Sequence, residues 1–135
     1  MAAKKAFTSV ELITVVMIVG LLAAVVVPIL RGHIDAAKWS EGKAIAGTIA
    51  SALRIYCADK GAIVPKPSLS ELGFKENDLR GRYFKSSNFK WTVGYDAVNN
   101  VATYKVTVNS SGTGINPPPS RWILDHEGKW TPIDR

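Results

Sequence analysis

Residues 6–30 read Ala6-Phe7-Thr8-Ser9-Val10-Glu11-Leu12-Ile13-Thr14-Val15-Val16-Met17-Ile18-Val19-Gly20-Leu21-Leu22-Ala23-Ala24-Val25-Val26-Val27-Pro28-Ile29-Leu30. No charge occurs from Leu12 to Leu30, and a helix needs about 20 apolar residues to cross a bilayer. Lys4 and Lys5 lie just upstream, so this end is expected to stay cytoplasmic and the carboxyl-terminal bulk to lie outside. Glu11 stands at the edge of the run. A carboxylate costs about 2.5–3.5 kcal/mol at the centre of a membrane helix and less near its end. A residue kept at that cost points to a task, and the matching task is to meet a positive charge inside the membrane. A cleavable secretory signal has an apolar core of about 7–15 residues and a small-x-small site. This run is longer, ends at Pro28 and lacks Ala-x-Ala. A plain anchor fits the length. Only an anchor that is also an assembly element gives Glu11 a role.

The helix is expected to continue past Leu30. Ile45, Ile49, Ala52, Leu53 and Tyr56 recur at helical spacing, with Lys43, Thr48, Arg54 and Lys60 falling elsewhere. Gly61 is a natural stop. The spacing predicts one helix from about Ser9 to Asp59, some ~75 Å long at 1.5 Å per residue. Its first half is apolar all round. Its second half carries one stripe that can cover a sheet. Pro28 cannot donate a backbone hydrogen bond and bends a helix.

Beyond Gly61 the texture changes. Ile63-Val64-Pro65-Lys66-Pro67 reads as an extended connector. Ser68-Leu69-Ser70-Glu71 fits a capping box, with one short turn closed by Gly73. Asp78–Gly81 reads as a turn. Strand-like runs follow at Tyr83–Phe84, Phe89–Tyr95, Val101–Val108, Trp122–Leu124 and Lys129–Ile133. Asp96–Asn100 and Asp125–Gly128 suggest hairpin turns, and Ser110–Pro119 is a Gly/Pro/Ser loop. Val106, Val108, Trp122 and Ile123 are candidates for the core. The fold class is α+β: a long amino-terminal helix, membrane-spanning in its first half and amphipathic in its second, packed on a small antiparallel sheet.

Phe7-Thr8-Ser9-Val10-Glu11, the small residue Ala6 before it, the basic leader and the apolar run through Gly20 to Pro28 together resemble the prepilin signature of type IV pilins and type II secretion pseudopilins. Phe, Thr, Glu, Gly and Pro stand at the family's spacing. Ala6 replaces the commoner Gly before the cut, and Ser9-Val10 the commoner Leu-Ile. The resemblance implies a leader, 1–6, cut by prepilin peptidase between Ala6 and Phe7, an assembly and membrane segment, 7–30, and a globular pilin domain, 31–135. It implies N-methylation at Phe7, pairing of Glu11 with the Phe7 amine of a neighbouring subunit, and loss of helicity near Gly20 and Pro28, roughly over Ala23–Pro28, on assembly. The implied partners are copies of the same chain in a helical filament, the inner membrane before assembly, prepilin peptidase, and a pilus or secretion assembly machinery. The implied location is the inner membrane, then an extracellular pilus, or the periplasm for a pseudopilin.

The remaining residues give no enzyme. No Gly-x-Ser-x-Gly or phosphate-binding loop occurs and no pattern gives a reason to pair Cys57 with His33 or His126, and no cofactor is expected. Asp125, His126, Glu127 and Asp134 are too few and too turn-like for calcium, which takes six to eight oxygens, so no metal is expected. Cys57 is the only cysteine, which excludes an internal disulfide. The net charge is +6, a mild excess that permits binding to acidic surfaces without requiring it. Arg80, Arg82, Lys85 and Lys90 lie among Tyr83, Phe84, Phe89 and Trp91, a pattern that can hold single-stranded nucleic acid. It reads better as one buried and one solvated strand face. Trp39, Tyr56, Trp91, Tyr104, Trp122 and Trp130 likewise read as core aromatics rather than an electron path. The expected function is a structural subunit of a type IV pilus-like filament. The alternatives are a type II secretion pseudopilin and a DNA-binding minor pilin.

Overall fold

A computed structural model describes residues 6–61, 65–115 and 119–134. Residues 1–5 of the expected leader, Ile63 and Val64 of the expected connector, and 116–118 of the expected loop lie outside the described residues. The chain divides into two compact units, Met1–Ala36 and Ala37–Arg135. Helix α1 (Ser9–Lys60) contributes to both.

In the first unit every described residue except half-buried Asp35 is exposed. Pro28 lies inside the helix. This segment is long and apolar enough to cross a membrane, and none of its apolar stretch is buried within the chain.

In the second unit α1 buries Trp39, Gly42, Ala46, Ile49, Leu53 and Cys57, a three-and-four spacing that lines one face. Ile49 and Leu53 sit where the periodicity places them. Ile45, Ala52 and Tyr56 flank the face half-buried. The buried face is turned toward small residues because a ring occupies it. A Cβ at Gly42 would stand 2.8 to 3.0 Å from the ring of Phe84. Lys60 ends the helix, and Gly61, at φ +81°, donates its N–H to Cys57 O at 3.1 Å. That left-handed residue closes the last turn without a Cβ penalty.

Four strands follow: β1 (Phe89–Asp96), β2 (Val101–Asn109), β3 (Arg121–Asp125) and β4 (Trp130–Ile133). They pair in sequence order, each antiparallel to the next. Val106 faces Trp91 on one side and Leu124 on the other; Val108 faces Phe89 and Trp122. This register sends Phe89, Tyr104, Val106, Val108 and Leu124 into the core with Trp122 packed at its edge. Ile123 pairs with Thr107 and so points to the other face, because side chains alternate along a strand. It is not a core residue, contrary to the sequence-based expectation.

Tyr83–Phe84 is not a strand either. It lies between two short 3₁₀ turns, Glu76–Leu79 and Ser86–Asn88. The carboxylate of Glu41, from α1, accepts the N–H of Tyr83 at 2.8 Å and of Phe84 at 3.1 Å. Phe84 is fully buried, its ring 5.5 Å from Trp39 and 6.0 Å from Phe89. The helix therefore satisfies this segment's donors, and Phe84 serves as a plug. Partial burial works against the Glu41 charge, but the backbone bonds from Tyr83, Phe84 and Arg82 and the Arg82 guanidinium outweigh it and hold this carboxyl below its ordinary range.

The turns carry their own chemistry. Ser68 N–H and Oγ both donate to Glu71 Oε2 at 2.7 Å, and Glu71 N–H returns to Ser68 Oγ at 3.4 Å, the reciprocal box expected there. Asp96 Oδ1 accepts Val98 N–H at 2.9 Å in the β1–β2 turn. Asp125 Oδ1 accepts Glu127 N–H at 3.1 Å and Lys129 N–H at 2.8 Å in the β3–β4 turn.

Candidate assembly site

The expected functional residues lie together at the start of the chain. Ala6 and Phe7 precede α1 in irregular backbone, both exposed, with Phe7 74% accessible. Glu11 sits in the first turn of α1. Its Oε2 accepts Thr8 N–H at 2.9 Å and Thr8 Oγ at 2.7 Å, while Glu11 N–H donates to Thr8 Oγ at 3.2 Å. Thr8 is thus an N-cap and Glu11 its N3 partner, a second capping box with the same Thr/Ser-x-x-Glu spacing as Ser68–Glu71. Sequence reading gave Glu11 only an intermolecular task and missed this one, although Thr8-x-x-Glu11 before an apolar run is its signature.

The cap leaves one carboxylate oxygen over. Both Thr8 bonds go to Oε2, and among the described residues none reaches Oε1. A carboxylate has about four acceptor positions, so Oε1 can receive an ammonium while Oε2 holds the cap. The cap itself satisfies donors at the helix start that have no intrahelical partner.

Beyond Glu11 the surface is hydrocarbon. Leu12, Ile13, Val16, Met17, Leu21, Leu22, Val25 and Val26 are all more than half exposed. A contiguous apolar surface of this length marks a membrane or a protein partner. Gly20 and Gly32 have open space where a Cβ would be, so no packing within the chain requires glycine there. Pro28 lies in the same exposed stretch.

The other residues singled out in the sequence take structural places. Asp125 is occupied by the β3–β4 turn, and among the described residues no three His, Cys, Asp or Glu side chains gather as a metal would need. In the basic-aromatic segment Phe84 and Phe89 are buried, and Tyr83 and Trp91 half-buried, so this is core with a solvated basic edge. Cys57 is buried, and burial pushes its thiol up from its ordinary range.

Comparison with known proteins points to one family. Type IV major pilin protein PilE1 of Neisseria gonorrhoeae is 31% identical over 109 residues, 81% of this chain and 55% of the relative. A second PilE1 sequence from the same organism is 34% identical over 113 residues, 84% of this chain and 47% of the relative. Type IV major pilin protein PilE, also from N. gonorrhoeae, is 35% identical over 82 residues, 61% of this chain and 48% of the relative. The chain spans about half the length of the curated relatives it matches. No family model matches it, and no solved structure matches significantly. The similarity runs through most of a chain whose own residues build an anchor-like helix on an antiparallel sheet, and the chain belongs to the type IV pilin family.

Proposed function

We propose that this protein is a structural subunit of a pilus-like filament, held in the inner membrane by residues 7–30 until assembly and displayed outside the cell afterwards. The observation that carries the reading is the uncovered apolar helix directly after a capped Glu11. No residue of its apolar stretch is buried within the chain, so lipid or other subunits must cover it. The description of its relatives as major pilins favours a pilus over a secretion pseudopilin. The work is mechanical, with no catalytic step.

In this reading prepilin peptidase cuts Ala6–Phe7, Phe7 becomes an N-methylated amino terminus, and residues 31–135 form the globular pilin domain. The Phe7 ammonium of one subunit meets Glu11 Oε1 of its neighbour. In low dielectric such a pair attracts far more strongly than in water. An unpaired carboxylate would be left in an apolar surrounding at a cost of several kcal/mol. Axial register follows, because only one stagger pairs every carboxylate. Within α1, Pro28 deprives Ala24 O of a donor, and Gly20 costs roughly 1 kcal/mol relative to Ala. Subunit packing can then draw the stretch between them into an extended form.

Electron microscopy of sheared surface material and intact mass of its subunit test the reading. Filaments built of a chain beginning at N-methyl-Phe7 are expected. A filament subunit still carrying Lys4 and Lys5 would refute the cut site. A filament map with helix continuous through Ala23–Pro28 would refute the extension and leave Pro28 a simple bend.

A further inference from the structure

The second unit holds a cavity that assembly does not explain. It has a volume of about 500 Å³ and lies between the last two turns of α1 and the open end of the sheet. Arg54, Cys57 and Ala58 form its helix wall, and Ala102, Tyr104 and His126 its sheet wall. Ligand sites commonly measure about 300–1,000 Å³ and combine an apolar lining with a few convergent polar groups. Here the apolar part comes from Ala58, Ala102 and buried Cys57. The polar part is Arg54 Nε, which donates to Tyr104 Oη at 3.4 Å, and His126, whose ring meets Tyr104 edge-on at 6.5 Å.

The charges set the class of ligand. Among the described residues no carboxylate pairs with Arg54. His126 lies close enough to Asp96 to help lower that carboxyl, and Asp96 is taken up by Val98 N–H, Asn99 N–H and Asn99 Nδ2 in its own turn. A guanidinium at the mouth of an apolar cavity, with Nε committed and its planar N–H fork available, suits a carboxylate. The carbonyl end of α1 at Gly61 repels an anion. The acid group therefore belongs at Arg54, with the hydrocarbon body laid along Ala58 and Ala102.

We propose that this cavity binds a small amphipathic carboxylate, an aromatic or aliphatic acid whose carboxyl group pairs with Arg54 beside Tyr104 and His126.

The test uses the full chain in neutral detergent micelles, nitrogen-15 labelled, titrated with naphthylacetate and separately with uncharged naphthylacetamide. Expected are saturable amide shifts confined to Arg54–Gly61, Val101–Tyr104 and His126, with the acid binding at least about tenfold tighter than the amide, the ratio an Arg–carboxylate pair supplies. Arg54 is exposed, so Arg54→Gln keeps the fold and should reduce the acid to the affinity of the amide. A second variant, Ala102→Leu, fills the cavity and should weaken both ligands while leaving Arg54 in place. Non-saturable shifts, equal binding of acid and amide, or acid binding unchanged in Arg54→Gln would each overturn the proposal.

Discussion

The two halves of α1 are both rich in apolar residues, yet they spend them differently. From Leu12 to Leu30 large side chains face every direction and none is buried. From Trp39 to Cys57 the buried face alternates large residues with Gly42, Ala46 and Ala50, and the sheet covers it. The first half is a surface without a core, and the second is a core with a surface. The lesson is that apolar content alone does not say where burial occurs. Size and spacing do: a helix meant for its own sheet needs small residues where another ring must approach, and a helix meant for lipid or sister subunits does not.

The largest break in that contrast should come from Glu11→Gln. The amide can still accept the Thr8 bonds, so the helix start and the globular unit should remain intact. Losing the charge should cost about 3–5 kcal/mol per pair and abolish filaments seen by microscopy. Normal filaments would remove the electrostatic reason for Glu11. Next comes Phe84→Ala, which empties the site against Gly42 and Trp39. It should destabilise the globular unit by about 3–5 kcal/mol, measured by denaturant unfolding. Val25→Ala should leave the same transition unmoved, because Val25 is exposed in the other unit. An equal loss from Val25→Ala would erase the distinction between the halves.

Gly42→Ala is subtler. The added methyl would stand 2.8 Å from the Phe84 ring, and overpacking of this kind costs about 1–3 kcal/mol. Gly47→Ala, with open space at its Cβ, should instead be neutral or stabilising. Thr8→Ala removes the hydroxyl of the N-cap and should cost about 1 kcal/mol of helix stability, visible as faster amide exchange over the first turn. Global stability should not change.

The smallest effect is that of acid. Glu41 is held below its ordinary range as described, Glu71 by the Ser68 backbone and hydroxyl bonds, and Asp96 by the Asn99 side chain and the Val98 and Asn99 backbone. A depressed carboxyl stabilises the fold fully above its unfolded pKa of about 4. That contribution is lost as pH falls through the lower folded value. The unfolding midpoint of the globular unit should thus be flat from neutral pH down to about 5 and decline below about 4. Replacing Glu41 by Gln should flatten part of that decline. An undiminished decline would remove Glu41 from the account.

Much of this was legible because it is local. Glycine at a helix end, an alternating strand such as Val101–Val108, and Ser68-x-x-Glu71 each declare themselves within a few residues. The same spacing rule applies to Thr8-x-x-Glu11, where the cost of a carboxylate at a membrane edge masks the local signature of the cap. The errors were long-range. Tyr83–Phe84 has strand-like composition, and only Glu41, far earlier in the chain, shows why its backbone is satisfied without a partner strand. Ile123 looks as apolar as Leu124, and only the pairing with Thr107 assigns its face. The cavity at Arg54 joins a helix end, a strand start and a turn that no local pattern connects.

One contact has an optical consequence. Lys43 Nζ lies 3.6 Å from the centre of the Trp122 ring, and Trp122 meets Trp39 and Trp130 edge-on, each at 6.4 Å. Indole transition dipoles at such separations couple, and a fixed positive charge over one ring shifts its excited state. Trp39 and Lys43 belong to the helix, Trp122 and Trp130 to the strands. The Trp122–Trp130 pair belongs to the sheet alone, but the Trp39–Trp122 coupling and the Lys43 charge exist only while helix and sheet are joined, so a change in the circular dichroism of the tryptophans reports their separation without any added label.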